Sequence, residues 1–304
     1  MHKDPEGENL GRRSWLSAHI STKSPIYSAA YDRELVNEVV PLLAELSTEN
    51  SCHEYFFVRY SDTGPHLRLR IRTIDDVMSN EVRSMIVKHA RTFRRSVVWE
   101  RYLPEFGRYG GALAMPATET LFAASSRAAL SMVQEGDPDD RPRRYGQAML
   151  AMIIFAHAIT GGADEAARLL ERYGNGTMPA IADASSTLFV ERVRVDYYAQ
   201  REALQTTVVE LVERMELRRD ELGPVFQSYY EAIGEYAREL RHLHGLDHIR
   251  IGETAVEWRE CAFRLSGSMM HMMNNRLGIS IPDESYVSLL AARALRLRNR
   301  PGVS

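Results

Sequence analysis

The segment His66-Leu67-Arg68-Leu69-Arg70-Ile71-Arg72 sets three guanidinium groups at every second position. In an extended chain such alternation puts His66, Arg68, Arg70 and Arg72 on one face and Leu67, Leu69 and Ile71 on the other. Three like charges in a row repel unless something anionic lies over them. Two readings fit this spacing: a solvated face laced with surface ion pairs, or a site for an anion. About thirty residues on, Tyr102-Leu103-Pro104-Glu105-Phe106-Gly107-Arg108-Tyr109-Gly110-Gly111 adds Glu105 and Arg108 in a tight segment. They form either a local ion pair or an extension of the cationic patch in which Glu105 orients an arginine or acts as a base.

A second source of chemistry is His271, in Ser266–Arg276. Helical spacing aligns Arg264, Ser268, His271 and Asn275 as a polar stripe among methionines. A buried, satisfied histidine is the bland reading. The stripe singles His271 out from the other nine histidines, and an imidazole facing arginines would stay neutral and suit proton transfer. His242, His244 and His248 lie together, but no clustered Cys or carboxylate completes a metal set, and cationic residues are common at a helix end. The glycines near 107–111 and 174–176 lack phosphate-loop spacing.

The elements that must position these groups follow from the pattern of apolar residues. Residues 1–13 read as a polar lead-in. Strands are expected at Ser14–Ser21, Glu54–Tyr60, His66–Arg72 and Val97–Leu103, with Ser61–Pro65 closing a hairpin. A helix from Asp32 carries Leu35, Val36, Val39, Leu42, Leu43 and Leu46 inward, with Pro41 as a blemish, and Ser47–Cys52 follows as a loop. A second helix, capped by Asp75 or Asp76 and running to about Arg94, turns Val77, Val82, Met85, Ile86 and Ala90 inward. This order is the split βαβ, ferredoxin-like arrangement, with helices on one sheet face and the other open to a second layer.

After Gly111 the pattern is helical to the end, near Thr118–Val133, Tyr145–Ile159, Ala163–Arg172, Ser186–Arg218, Pro224–Leu243, Val256–Arg276 and Ser285–Arg298. Breaks are expected at 136–138, 161–162, 174–179, 223–224 and 278–282. The expected fold is therefore α+β: a small module over 14–112 carrying the arginine hairpin, and a larger helical bundle over 113–304 forming the other wall of a cleft.

At 304 residues, with 44% hydrophobic and 26% charged residues, the composition is that of a globular protein. A net charge of −3 gives no global pull toward nucleic acid. RNA-binding modules on such sheets stack bases on exposed aromatic residues, and His66–Arg72 has none. Two cysteines, Cys52 and Cys261, fit a reducing compartment; the N-terminus lacks a signal-peptide core, and no apolar run reaches the roughly 18 residues of a membrane span. The expectation is a cytoplasmic protein with no membrane contact.

Taken together, Phe57-Val58-Arg59-Tyr60, Pro65–Arg70, Tyr102–Gly111 and His271-Met272 with Asn275-Arg276-Leu277 resemble the C-terminal elimination domain of lantibiotic dehydratases, also called the thiopeptide-type bacteriocin biosynthesis domain. The resemblance runs from Trp15 to about Leu290 and implies a stand-alone copy. In that family a separate glutamyl-tRNA-dependent domain or protein first glutamylates Ser and Thr of a ribosomally made precursor peptide, leader plus core; for a stand-alone copy the partner is a separate protein. The elimination domain then expels glutamate, leaving dehydroalanine or dehydrobutyrine. The resemblance implies catalytic roles for Arg68, Arg70, Glu105, Arg108 and His271. Arg59, His66, Arg72, Asn275 and Arg276 are the further candidates for substrate binding; no metal or organic cofactor is implied for this step, and no direct contact with nucleic acid is expected. Oligomeric state, a dimer included, stays open.

One departure is visible: the family's Asp-Ser pair after Glu-x-x-Phe is replaced, after Glu119–Phe122, by Ala123-Ala124-Ser125-Ser126. Two other readings compete. One is a relative that joins two dehydroalanines by a formal [4+2] cycloaddition into a pyridine with release of the leader; it would have no glutamate to bind. The other is a non-catalytic subunit that docks the leader peptide.

Overall fold

The computed structural model describes residues 14–48, 54–177, 183–249, 251 and 257–298. The expected lead-in over 1–13, Cys52 with most of its loop, Pro179 and Val256 lie outside them.

Four strands, β1 Ser14–Ser21, β2 Tyr55–Tyr60, β3 His66–Thr73 and β4 Val97–Arg101, form one antiparallel sheet in the order β2-β3-β1-β4. The register pairs Trp15 with Arg72, Ser17 with Arg70 and His19 with Arg68, and sets Phe56 and Val58 opposite Arg70 and Arg68. All of these share the arginine face. The opposite face, with Leu16, Ala18, Phe57, Leu67, Leu69 and Ile71, is buried against Leu35, Leu42 and Leu46 of the first helix and Val82 and Ile86 of the second. This is the expected split βαβ arrangement.

The first helix begins at α1 Ala29–Glu34, capped by the Ser28 side chain, and continues as α2 Val40–Thr48. A π turn, Leu35–Val39, joins the two. It sits immediately before Pro41, which has no N–H to give, so the ladder is widened rather than broken there. The second helix, α3 Asp76–Thr92, is capped by Asp75. Val77 is 68% exposed rather than inward. It lies five positions before Val82, about 140° round the helix from the buried stripe. β4 ends at Arg101, two residues early, and the chain leaves through a short 3-10 turn at Phe106–Arg108. Gly110 and Gly111 follow with φ of +90° and +103°, which side chains disfavour.

The bundle comprises α4 Met115–Glu135, α5 Arg141–Thr160, α6 Ala163–Thr177, α7 Asp183–Ala199, α8 Arg201–Leu217, α9 Pro224–Gly245, α10 Trp258–Leu277 and α11 Ile281–Leu297. The single helix expected over 186–218 is two, broken at Gln200. Unbroken it would extend about 50 Å, whereas α7 and α8 both pack on α11. Gly174 does not break α6. A Cβ there would sit 2.8 Å from Leu289 Cγ and 3.2 Å from the Ser285 carbonyl oxygen, so this glycine lets α6 cross close over α11. Pro282 lies in the first turn of α11, where its missing N–H costs nothing.

Sheet and bundle are joined along the outer edge of β2. Phe57 N–H donates to Ser126 Oγ (3.2 Å), and the Phe57 carbonyl accepts from Arg276 Nε (2.9 Å). Arg59 N–H donates to Asn275 Oδ1 (2.9 Å), and Asn275 Nδ2 donates back to the Arg59 carbonyl (3.0 Å). Side chains of α4 and α10 thus stand in for a fifth strand. The Arg59 side chain turns to the helical face, where it pairs with Asp32 (2.6 Å) and donates to the Arg276 carbonyl (2.8 Å). Gly278, with φ +73°, ends α10 directly beneath it; a Cβ would fall 2.8 Å from Arg59 Nη1.

Asn275→Ala leaves the Arg59 N–H and carbonyl without partners in a buried junction. Two lost bonds of this kind cost roughly 2–4 kcal/mol. Denaturant unfolding should show a loss of that size, whereas a variant as stable as the wild type would remove the edge contact from the account.

Candidate active site

The arginine face opens onto a cleft of about 690 Å³ between sheet and bundle, walled by Arg68, Arg70, Tyr102, Glu105, Arg108 and, from α10, Met272. The three strand arginines meet different fates. Arg72 is held by Glu54 (2.9 Å) and Glu119 (3.2 Å) and lies over the Trp15 ring. Arg68 pairs with Asp62 (2.8 Å) from the hairpin turn and stacks 3.4 Å over Tyr60. Arg70 lies between the rings of Phe56 and Tyr102, at 5.3 and 4.9 Å. Among the described residues it has no ion-pair partner, and its buried Nε has no hydrogen-bond acceptor. Burial holds its pKa below the usual arginine range, yet guanidinium stays protonated at neutral pH. Arg70 is therefore a cation facing the cleft without an ion pair of its own among the described residues; the Glu105 carboxylate on the same cleft acts on it only from beyond contact distance.

Arg108 lies on the other lip. It is half exposed, pairs loosely with Glu105 (3.3 Å), and donates from Nε to Ser268 Oγ on α10 (3.1 Å). One turn further along α10, His271 Nδ1 is 3.0 Å from Glu284 Oε1. Glu284 is 1% exposed and also accepts from the Tyr173 hydroxyl at 2.6 Å. Burial, and then this carboxylate, push the Tyr173 pKa up, so the hydroxyl keeps its proton. With a carboxylate on Nδ1, the neutral imidazole carries its proton there and presents Nε2 as the acceptor. Arg68, Arg70, Glu105 and Arg108 thus share one cleft. His271 does not line it; on α10 it follows one turn after Arg108's partner Ser268 and directly precedes Met272, which does line it.

Five expectations change. Arg59, Asn275 and Arg276 do not face the cleft: they are 1%, 6% and 0% exposed, and their hydrogen bonds are made at and beside the β2 junction. Burial brings the Arg276 pKa down to about 10. Arg72 is neutralised by its two glutamates. His66 is buried; its Nδ1 lies 2.9 Å from the Gly64 carbonyl and its Nε2 accepts from Arg68 Nε (3.2 Å), so it orients Arg68 rather than meeting a ligand.

The histidines beside the strand arginines are His66 and His19, not His271. The His19 pKa is lowered by burial first, then by Arg68, His66 and Arg70. Nor is the basic face free of aromatic rings, since Trp15, Phe56 and Tyr60 come to it from neighbouring strands, each with an arginine over its ring, and Tyr60 stays 39% exposed. The Ser125-Ser126 pair supplies acceptors to Arg276 (3.0 Å) and to Phe57 N–H. Glu284 and Tyr173 were not visible in the sequence, because no spacing connects positions 173, 271 and 284. Among the described residues no group of His, Cys, Asp and Glu is placed to hold a metal ion.

Residues 15–295 match the family described as lantibiotic biosynthesis dehydratase, C-terminal. The chain belongs to that family. Its fold is similar to that of the tRNA-dependent lantibiotic dehydratase MibB from Microbispora sp. 107891, with TM-score 0.67 and 23% identity over 97% of this chain and 29% of that one. The chain thus spans less than a third of MibB. TsrL is similar with TM-score 0.72 and 17% identity, covering 96% of this chain and 100% of that one. TbtD, a pyridine synthase from thiomuracin biosynthesis, has TM-score 0.67 and 17% identity, covering 93% and 97%. No curated protein matches in sequence. Family membership gives the chain a role in making ribosomally synthesised, modified peptides.

The His271–Glu284 contact has a measurable signature. In Glu284→Gln the amide can donate to Nδ1, so the neutral His271 ring should move from the Nδ1–H to the Nε2–H form in nitrogen-15 spectra. An unchanged tautomer would mean that Glu284 does not set the ring.

Proposed function

We propose that this chain removes glutamate from glutamylated Ser and Thr side chains of a precursor peptide, leaving dehydroalanine or dehydrobutyrine. The observation that carries this reading is Arg70, a largely buried guanidinium without a partner in a cleft it shares with Arg108. Elimination of a glutamyl ester needs positive charge in two places. The α-proton of a peptide residue is weakly acidic, so the developing enolate needs a fixed donor near its oxygen. The leaving glutamate carries a further carboxylate, which a planar guanidinium holds in a two-pronged grip.

In the proposed reaction His271 Nε2 takes the α-proton, with Glu284 fixing the ring through Nδ1. The C–H electron pair forms the Cα=Cβ bond as the Cβ–O bond breaks, and glutamate leaves as its carboxylate. Arg70 and Arg108 hold the anions formed, while Arg68, with its charge already balanced by Asp62, shapes the wall. Glu105 keeps Arg108 turned into the cleft. The reading requires a glutamylating partner protein that uses glutamyl-tRNA, and no cofactor for the step itself.

One observation favours a second reading. The chain matches TbtD, a pyridine synthase, over nearly the full length of both, which suits a [4+2] cyclisation of two dehydroalanines. Those substrates offer no anion to Arg70, and this weighs against it. Offering the purified protein a glutamylated precursor and, separately, a precursor with two dehydroalanines separates the two by mass. Glutamate loss supports elimination, and a ring product with leader release supports cyclisation.

Arg70→Ala and Arg108→Ala should stay folded and slow glutamate release by roughly 10²- to 10³-fold, the scale for losing one donor to a developing anion. Glutamylated peptide should accumulate. Release at the normal rate in both variants would sink the mechanism.

A further inference from the structure

The two edges of the sheet are treated differently. The β2 edge is capped by α4 and α10, whereas among the described residues no element pairs with the β4 edge. The Ser21 N–H donates to the Ser96 carbonyl (3.0 Å), which fixes the alternation: His19–Val98 and Ser17–Glu100 face each other with their ladder bonds, and Val97, Trp99 and Arg101 turn their N–H and carbonyl groups outward. Among the described residues nothing accepts from or donates to these outward groups. A cavity of about 820 Å³ runs along the same edge, walled by Trp15, Arg83, Trp99 and Tyr102. Tyr102 is also a wall of the Arg70 cleft. From the edge to the cleft the chain exposes apolar side chains in succession: Val98 is 52%, Leu103 68% and Phe106 46% exposed.

We propose that β4 receives an extended segment of the precursor peptide by strand addition, next to the residue that reacts in the cleft. Outward backbone groups at alternate residues give the register, the cavity beside Trp99 takes one set of alternate side chains, and the exposed Val98 offers apolar surface to the other. The continuity of the edge with the cleft through Tyr102 favours a peptide substrate over a second copy of this chain. A five-residue strand carrying Glu100 and Arg101, both exposed, is a poor template for pairing with itself. The proposal rests on the preceding reading only in taking the substrate to be a peptide; it does not require elimination.

Arg101→Pro removes one outward N–H without touching the ladder to β1, and Arg101→Ala removes the same exposed side chain while keeping it. With the fluorescently labelled, unmodified cognate precursor as probe, Arg101→Pro should weaken binding by about tenfold relative to Arg101→Ala. Hydrogen exchange on the full wild-type chain should show the Val97, Trp99 and Arg101 amides protected when the peptide is added. This second measurement decides the matter if the proline variant does not fold. Equal binding by two folded variants would overturn the proposal, as would amides that stay unprotected. Protection that grows with protein concentration alone would overturn it in favour of self-pairing. Because the probe carries no glutamate, a wild-type protein that binds at β4 yet releases no glutamate fails only the elimination reading.

Discussion

The outer edge of β2 is the constraint on which the rest depends. An exposed strand edge is a row of unpaired amides, and here the bundle closes it with side chains: Asn275 clasps both backbone groups of Arg59, while Arg276 and Ser126 take those of Phe57. This contact fixes α10 against the sheet along its length. It therefore sets where His271 and Ser268, one and two turns earlier on α10, stand relative to the arginine face. The residues nearest the junction, Asn275 and Arg276, are consumed by it; those further along remain free for chemistry.

The same economy of charge sorts the arginines. Arg59 is buried against the Asp32 carboxylate and backbone carbonyls, and Arg276 against the Phe57 carbonyl and the Ser125 hydroxyl, partners of the kind a buried cation needs. Arg72 is balanced by two glutamates and Arg68 by Asp62. Arg70 alone among the four arginines of β2 and β3 lacks such a partner among the described residues, and it is the one set between two aromatic rings inside the cleft. A cation kept unneutralised costs stability, and in a cleft that cost has a use when a substrate brings the anion. The buried Glu284 shows the complementary pattern: it accepts from Tyr173 and is shared with His271, and α6 crosses α11 closely at Gly174 to allow it.

Much of this was legible in the sequence. Strict alternation over 66–72 gave the strand and its faces, turn chemistry at 61–65 gave the hairpin, and the order of elements gave the split βαβ sheet, since each of these is local. The helical stripe Arg264, Ser268, His271, Asn275 was also correct as a stripe. What spacing could not give was the partner of each member. Arg59 and Arg276 read as candidate ligands because a motif records that a cation stands at a position, not whether it faces a substrate or a carbonyl. Glu119, Glu284 and Tyr173 were missed for the same reason, their partners lying 47, 13 and 111 residues away. The aromatic rings beneath the arginines belong to neighbouring strands, so a single strand could not reveal them.

The central claim is that Arg70 holds the anionic part of the substrate. A glutamyl amide analogue of the precursor, in which nitrogen replaces the ester oxygen, cannot readily expel its glutamate and reports binding alone. Titrated calorimetrically, it should bind the wild type and lose about tenfold or more in affinity in Arg70→Gln, with the thermal midpoint of the free proteins unchanged. Equal affinity of the two proteins would contradict the account.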